Sequence, residues 1–357
     1  MISRRETLAM LAAGAAATAA KPAWARDVGG TFYDNALVID ALSFMRDWDE
    51  PELAALAATG YSGFIESLSR RDLQTAIDAL MTYRKRVAEH SDILMIALSA
   101  DDFERAKNGG RVAAMMNFQD SIMLDGDVDS IDTLYALGMR SFQLTYNFRN
   151  LVGDGCLERT NAGLSDFGVE VVDRMNSVGV MVDLSHCGRQ TTLDGIAFST
   201  KPVAITHTMC DSIRNGHPRA KTDAAMRACA EKGGVVGMAA LGYFVGDDPG
   251  GTTTVETYAD HIEHATSVVG HEHIGLSTDF SPQGIAPWAT RESWYEPRLK
   301  SFKPSYEVRW PPWIPELDTP DRFRTVVRVL EGRGWSEGQL ERLLGRNFER
   351  LLKDTIG

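Results

Sequence analysis

Residues 180–207 read VMVDLSHCGRQTTLDGIAFSTKPVAITH, and their pattern indicates the fold class. It begins with an apolar run at 180–184 and ends with a second run at 202–206, and an amphipathic stretch separates the two. Both runs are too continuous for a strand with one solvated face, so they suit strands that are buried on both faces. His186 lies two residues after the first run, and His207 directly follows the second. The stretch therefore predicts a parallel βα unit with polar groups after each strand.

Seven further runs of this kind are spread along the chain, at residues 36–39, 63–65, 93–98, 112–118, 142–145, 235–239 and 274–277. Helix patterns lie between the runs, and Ser165 and Thr222 stand where helix N-caps are expected. Nine runs that alternate with helices over about 250 residues predict a (β/α)8 TIM barrel in which one run is either spurious or an extra strand. No Gly-x-Gly-x-x-Gly sequence follows any run, which argues against a doubly wound dinucleotide-binding domain.

Residues 1–25 have the pattern of a twin-arginine export signal. Arg4 and Arg5 precede an uncharged run at 7–20, and residues 23–25, Ala-Trp-Ala, form a small-x-small cleavage pattern. A spanning helix needs about 20 mostly bulky apolar residues, and this run is shorter and rich in alanine, so a cleaved signal is favoured over a retained anchor. We therefore expect a periplasmic protein with one barrel domain, residues 26–357, and no membrane span.

Composition and charge favour small-molecule chemistry. The chain is 44% hydrophobic and 24% charged, which is ordinary for a globular protein. Removal of residues 1–25 takes away three positive charges and one negative charge, so the formal net charge moves from -12 to -14. A protein this acidic is not built to hold nucleic acid or anionic lipid by bulk electrostatics. The expected partners are a small-molecule substrate and, as one option for assembly, a second copy in a homodimer.

The four cysteines do not indicate a thiolate metal site. Cys156, Cys187, Cys210 and Cys229 include no CxxC pair, which is the spacing typical of structural zinc sites. After export they would lie in an oxidising compartment, where one or two disulfides are an option.

One segment, residues 281–319, breaks the alternation of strands and helices. It contains seven prolines and no clear period, and its aromatic residues include Trp288, Trp294, Tyr295, Trp310 and Trp313. A long insertion of this kind in a compact domain is often a functional loop or lid. Aromatic packing beneath a loop is an equally good interpretation.

The residues that directly follow the runs predict the active site, because the carboxyl ends of barrel strands face the chemistry. His186 and His207 follow two neighbouring runs, and Asp279 follows the last run. Imidazole nitrogens and carboxylate oxygens both suit zinc, so these three residues predict a hydrolytic metal site. Two further polar residues, Gln119 and Tyr146, follow the runs at 112–118 and 142–145 and are expected at the same rim.

Other polar residues are weaker candidates. Arg219, in the loop after the run that ends at residue 206, could bind a substrate carboxylate through two hydrogen bonds, and a surface arginine is the alternative. His271 and His273 precede a run, so they belong at the opposite, stabilising end of the barrel. His261 and His264 are three residues apart on a predicted helix, where a solvated face is expected.

With these residues in place, the sequence resembles the membrane dipeptidase (renal dipeptidase) family of zinc peptidases. The segments that carry the resemblance are ALGMR at 136–140, LTYN at 144–147, GLSDFG at 163–168, VDLSH at 182–186, THT at 206–208, HPR at 217–219, GGVVG at 233–237, TDF at 278–280 and GRNF at 345–348. The resemblance implies a TIM barrel with a two-zinc site that cleaves small dipeptides, including those with a D-residue on the C-terminal side. It places His186 and His207 on one zinc, Asp279 on the carboxylate associated with the other, and Arg219 on a substrate carboxylate.

The sequence departs from the family pattern at three places. The His-x-Asp pair of the first strand is missing, because residues 41–44 are Ala-Leu-Ser-Phe. Gln119 stands at the bridging glutamate, and a neutral amide cannot bridge two divalent cations with a carboxylate's charge. Tyr146 replaces a substrate-binding histidine. A reduced site with one zinc ion on His186 and His207 is therefore expected, completed by Asp279 or Gln119 and water.

Three functions follow from this pattern. The first is a metal-dependent hydrolase of small amides or dipeptides, with Asp279 as the proton acceptor and Arg219 and Tyr146 positioning the substrate. The second is a lyase or dehydratase that uses the same barrel on a small carboxylate or aromatic substrate. The third is a non-catalytic binding protein. The hydrolase is the preferred hypothesis.

Overall fold

Parallel strands form a single sheet in the computed structural model, which describes residues 32–68, 70–246 and 253–357. The strands of these ranges are β1 Ile39–Ser43, β2 Gly63–Ser67, β3 Leu94–Ile96, β4 Val112–Phe118, β5 Met139–Gln143, β6 Met181–Asp183, β7 Ala204–Thr208, β8 Val235–Ala239 and β9 Ile274–Ser277. The predicted export signal at 1–25 lies outside the described residues.

Eight of these strands form the barrel, in the order β1, β2, β4, β5, β6, β7, β8, β9. The barrel closes between β9 and β1, where the Asp279 amide donates to the Leu42 carbonyl over 2.9 Å. β3 lies outside this path: it pairs with the first half of β4, and β5 pairs with the second half. The ninth run is therefore an extra strand, β3, rather than a spurious one, and the (β/α)8 TIM barrel is confirmed.

Helices alternate with the strands and cover the outside of the barrel. Their bounds are α1 Phe32–Asn35, α2 Glu50–Thr59, α3 Leu73–Glu89, α4 Asp101–Asn108, α5 Ser130–Ala136, α6 Asp166–Val178, α7 Arg189–Phe198, α8 Asp223–Glu231, α9 Gly242–Val245, α10 Val255–Val269, α11 Glu296–Ser301, α12 Arg322–Gly332, α13 Glu337–Glu341 and α14 Asn347–Thr355. Both predicted N-caps are confirmed, since Ser165 Oγ accepts from Gly168 N at 3.0 Å and Thr222 Oγ1 from Ala225 N at 3.2 Å. Within the described ranges, none of these helices combines the length and apolar character that a membrane crossing requires.

One histidine of α10 corrects an expectation. His261 is wholly buried rather than on a solvated face. Its Nδ1 accepts from the Cys210 amide at 3.1 Å, and its Nε2 lies 3.0 Å from the Val245 carbonyl. The expectation was wrong because helical spacing alone does not say which side of a helix faces the barrel. His264, one turn later, is partly exposed and pairs with Asp223.

The strands divide the apolar core into two layers, because successive side chains of a strand point to opposite faces. Ala113 and Met115 of β4 belong to one buried cluster, and Ala114 and Met116 belong to the other. The first cluster fills the barrel and includes Ala41 of β1. A filled interior leaves the ends of the barrel, rather than its centre, as the place for a ligand.

Three strands are shifted from their predicted positions, and the shifts matter for the site. Residues 36–38 precede β1, because Ala36 still donates to Phe32 in the turn that ends α1. β5 ends at Gln143, since the Leu144 carbonyl accepts from Asn150 Nδ2 at 2.9 Å and the chain turns away from the sheet. β7 ends at Thr208 rather than residue 206, so His207 lies within the strand.

The cysteines are all free thiols in this structure. Cys187, Cys210 and Cys229 are buried, and Cys156 is partly buried. The option of one or two disulfides is therefore not realised among them.

Candidate active site

A cavity of about 250 Å³ opens at the carboxyl ends of the strands. Phe44 follows β1, Gln119 follows β4 and Asp279 follows β9, and all three line it. The remaining wall comes largely from the segment at 281–319. The lining residues are Phe44, Ser67, Gln119, Tyr146, His186, Leu241, Tyr243, Asp279, Phe280, Ile285, Trp288, Trp294, Pro297, Arg298, Ser301, Phe302 and Tyr306. The cavity is thus aromatic, with a few polar groups converging on it, as is typical of small-molecule sites.

His186 is held rigidly at the floor of this cavity. Its Nδ1 lies 2.8 Å from Asn147 Oδ1, and its ring stacks on Tyr146 with centroids 4.0 Å apart. Because a carbonyl oxygen only accepts, Nδ1 carries the proton and Nε2 keeps its lone pair. Burial lowers the pKa of His186 well below its usual value, and the charge of Arg219 lowers it further. The imidazole is therefore neutral and able to act as a ligand.

His207 lies behind His186 and has no exposed surface. Its Nδ1 lies 2.8 Å from Thr206 Oγ1, which donates its own proton to Asp183 Oδ2 at 2.7 Å. Thr206 Oγ1 consequently accepts from Nδ1, and the lone pair of His207 is again on Nε2. That Nε2 is buried and has no hydrogen-bond partner in the described part of the chain. Its ring centroid is 5.0 Å from that of His186.

Asp183 organises the ends of β6 and β7. Its Oδ1 accepts from Ser185 N at 3.0 Å, Ser185 Oγ at 2.6 Å and Thr206 N at 3.1 Å, in addition to the Thr206 hydroxyl on Oδ2. Four donors on one buried carboxylate fix the backbone that carries His186 and His207. Partners of this kind commonly orient metal-binding histidines.

The same arrangement recurs where the barrel closes. Asp40 of β1 accepts from Thr278 N at 2.9 Å and lies 2.7 Å from Thr278 Oγ1. Thr278 immediately precedes Asp279, as Thr206 precedes His207. In both cases a buried aspartate holds a threonine of the neighbouring strand and so positions the next residue along the chain.

Asp279 presents its carboxyl group to the cavity from a strained backbone. Its φ of 63° lies in the left-handed region, which few residues other than glycine, asparagine and aspartate adopt. Burial raises the pKa of Asp279 to about 7, against the opposing charges of Arg219 and Arg298. A carboxyl group that titrates near neutral pH is suited to accept and return a proton.

Tyr146 and Gln119 lie in the cavity wall, as their positions after β5 and β4 predict. Burial raises the pKa of Tyr146 to about 12, so its hydroxyl remains a proton donor at neutral pH. Gln119 contributes an amide beside it. These two groups can hydrogen-bond a substrate without adding charge.

Arg219 does not reach the cavity. It is fully buried, and its two terminal nitrogens donate to the carbonyls of Ser185 and, at 2.9 Å, His207. It therefore braces the two segments that carry the histidines. Its position does not support the direct contact with a substrate carboxylate that the resemblance implies.

The residues present fit one metal ion better than two. The rings of the two neutral imidazoles lie with centroids 5.0 Å apart, and the Nε2 of His207 lacks a partner among the described residues, which suits a shared Lewis acid. In the part of the chain that the structure describes, no three His, Cys, Asp or Glu side chains are placed to hold an ion together. Leu42 of β1 is buried, and Phe44, which follows β1, lines the cavity, so this end of the barrel supplies apolar groups instead of ligands.

Several site residues were not predicted from the sequence. Phe44, Tyr243 and Arg298 lie in segments without a motif, and only the three-dimensional path of the chain brings them to the cavity. The richness of 281–319 in tryptophan was the one available indication. Both interpretations of that segment apply, because Trp288 and Trp294 pack against the barrel and also line the cavity.

Comparison with known proteins identifies dipeptidases among the relatives of this chain. The family model for membrane dipeptidase (peptidase family M19) matches residues 49–292. An uncharacterized dipeptidase of Schizosaccharomyces pombe is 31% identical over 80% of this chain and 62% of its own length, and dipeptidase verJ of Clonostachys rogersoniana is 25% identical over 81% and 67%. The chain thus spans about two thirds of the length of these fungal relatives.

A solved structure shares the fold over most of the chain. An amidohydrolase from Pseudomonas aeruginosa superposes with a TM-score of 0.77 at 27% identity, covering 91% of this chain and 98% of the other. The superposed part of the chain is longer than the region matched by the family model, residues 49–292. The predicted relationship is therefore confirmed, and the chain belongs to the membrane dipeptidase family, peptidase family M19.

Proposed function

We propose that the protein is a dipeptidase-like hydrolase that cleaves small amide or dipeptide substrates in this cavity with one zinc ion held by His186 and His207. Membership of the dipeptidase family supports the reaction class. The observation that carries the proposal is the proximity of two neutral imidazoles, one of which has a buried Nε2 without a partner in the described part of the chain.

Side chains of the cavity would carry out proton transfer and orient the substrate. A bound zinc ion supplies Lewis-acid polarisation of the scissile carbonyl. Asp279 accepts the proton of the attacking water and returns it to the leaving amine, since its pKa of about 7 allows both steps near neutral pH. Tyr146 donates a hydrogen bond to the substrate, and Gln119 orients its amide plane.

Metal content tests the site directly. We expect elemental analysis of the purified protein to give one zinc ion per chain, and His186→Ala or His207→Ala to remove it together with dipeptide hydrolysis. His264→Ala is the matched control, because that histidine is partly exposed on α10 and pairs with Asp223 outside the cavity. Two ions per chain, or full occupancy in both site variants, would contradict the proposed ligand set.

A second candidate is a non-hydrolytic reaction, such as a lyase or dehydratase step on a small carboxylate or aromatic substrate. Phe44 in the cavity wall favours it, since the segment after β1 contributes an aromatic ring to the cavity and lacks the His-x-Asp pair of the family. Turnover of such a substrate that persists after exhaustive chelation would support this candidate. The hydrolytic activity of the proposed zinc enzyme should instead be lost on chelation.

Export to the periplasm is part of the proposal. In a Gram-negative bacterium, we expect the secreted form to begin at Arg26, after the Ala23-Trp24-Ala25 pattern. Substitution of Arg4 and Arg5 by lysine should leave the unprocessed chain in the cytoplasm. Protein sequencing and cell fractionation measure this, and an unprocessed N-terminus in the periplasm would exclude the cleavage site.

A further inference from the structure

We propose that Arg298 binds the carboxylate of the substrate, and that the aromatic wall around it selects substrates with an aromatic or large apolar group next to that carboxylate. This inference rests on the proposed function for the reaction, but it concerns recognition and can be tested without turnover.

Arg298 is fixed in place by the segment that carries it. On α11, its guanidinium lies over the Trp294 ring at 4.0 Å from the centroid, and Nη1 donates to the Trp294 carbonyl at 2.9 Å. No other hydrogen bond and no ion pair of this side chain occurs among the described residues. Nε and Nη2 of Arg298 are consequently available along one edge of the guanidinium plane, and stacking on Trp294 already orients that plane. Two parallel N–H donors along one edge can bind both oxygens of a carboxylate.

Among the residues that the structure describes, the cavity wall contains no other strong cation. Of the described residues that line it, Arg298 is the one lysine or arginine. Arg219 is buried behind the wall, with both terminal nitrogens donating to backbone carbonyls. An anionic group that enters this cavity therefore finds its charged partner on the loop segment rather than on the barrel.

The charges also orient a substrate. Arg298 and Asp279 line the same cavity, Arg298 from α11 and Asp279 from the residues after β9. A carboxylate is attracted to Arg298 and is repelled by Asp279 in its ionised form. The substrate's carboxylate then lies on the side of the 281–319 segment, with its amide on the side of Asp279 and His186.

Aromatic rings enclose the position next to Arg298. Tyr243 meets Trp294 edge to face, with centroids 5.7 Å apart, and Trp288 and Phe302 line the same cavity. These rings offer an apolar surface with few hydrogen-bonding groups, which favours a side chain that can pack against them. At about 250 Å³ the cavity suits a ligand of dipeptide size or smaller.

Binding of simple carboxylates to the full-length mature protein tests the inference. The probes are 3-phenylpropionate, its neutral amide and propionate, measured by calorimetry. We expect 3-phenylpropionate to bind at least about tenfold more tightly than either of the others. Arg298→Ala should weaken its binding about 10- to 100-fold, and Arg298→Lys by a smaller factor because one bidentate contact is lost.

Arg291→Ala is the matched control. Arg291 belongs to the same segment and stacks on the Tyr295 ring at 4.9 Å, but it does not line the cavity. Its removal should leave all three affinities unchanged. Equal affinity for acid and amide, absence of binding, or an Arg298→Ala variant that keeps the acid preference would overturn the inference. Absence of hydrolysis alongside Arg298-dependent binding would instead remove the proposed reaction and leave this assignment standing.

Discussion

Asp279→Asn is expected to lower kcat/KM for a dipeptide by about 10²- to 10⁴-fold, the contribution typical of a general acid–base group. Asparagine has the same shape and tolerates the left-handed backbone that this position requires, so the barrel should remain intact. The loss would therefore report on the proton-accepting carboxylate rather than on the fold.

The role of Asp279 as a base also predicts the direction in which kcat/KM changes with pH. The ionised form of Asp279 is the base, and burial raises its pKa to about 7. In the wild type, kcat/KM should therefore rise with pH through about 7 and level off above it. The variant should lack this rise. An Asp279→Asn enzyme that keeps most of its activity would exclude Asp279 as the base.

The free energy of unfolding of the wild type should fall with rising pH, whereas its activity rises. A raised pKa means that the native state favours protonated Asp279, so this group's contribution to stability is lost as the pH rises through about 7. Asparagine has no charge to bury. Thermal unfolding should show Asp279→Asn gaining in Tm relative to wild type as the pH rises from about 4 to about 7, with little further gain above pH 8. A constant difference would contradict the raised pKa.

Asp183→Ala is expected to have the largest effect on stability. It leaves the donors of Ser185 and Thr206 without their buried acceptor, and each unsatisfied donor costs on the order of 1–3 kcal/mol. We expect a loss of about 3 kcal/mol or more in the free energy of unfolding, measured with urea. Asp132→Ala is the control, because that carboxylate is half exposed in a surface pair with Arg174 and should contribute less than about 1 kcal/mol.

A milder change separates positioning from folding at the same place. Thr206→Val keeps the volume of the side chain but removes the hydroxyl that accepts from His207 Nδ1. Loss of such an orienting partner commonly weakens metal binding about 10- to 100-fold. Zinc titration of the purified Thr206→Val variant measures this affinity.

For the stability prediction, an Asp183→Ala protein that unfolds at the same urea concentration as wild type would contradict the proposed role of the Asp183 carboxylate.

The barrel could be predicted from the sequence because its signals are local. Continuous apolar runs specify strands buried on both faces, and the runs at 112–118, 235–239 and 274–277 coincide with β4, β8 and β9. The strand ends then placed His186, Gln119, Tyr146 and Asp279 at one rim, and all four line the cavity. The absence of the family's metal ligands from the first strand could also be predicted, because it depends only on which residues occupy positions 41–44.

Other features depended on the tertiary structure. Strand ends are set by contacts such as Asn150 with the Leu144 carbonyl, and no local pattern shows that His207 falls inside β7. Residue type alone could not show that the donors of Arg219 bind backbone carbonyls whereas Arg298 faces the cavity. Sequence determined which chemical groups follow the strands, since that order is covalent. Packing decided which of them meet a ligand, since burial and hydrogen-bond partners come from parts of the chain that are distant in sequence.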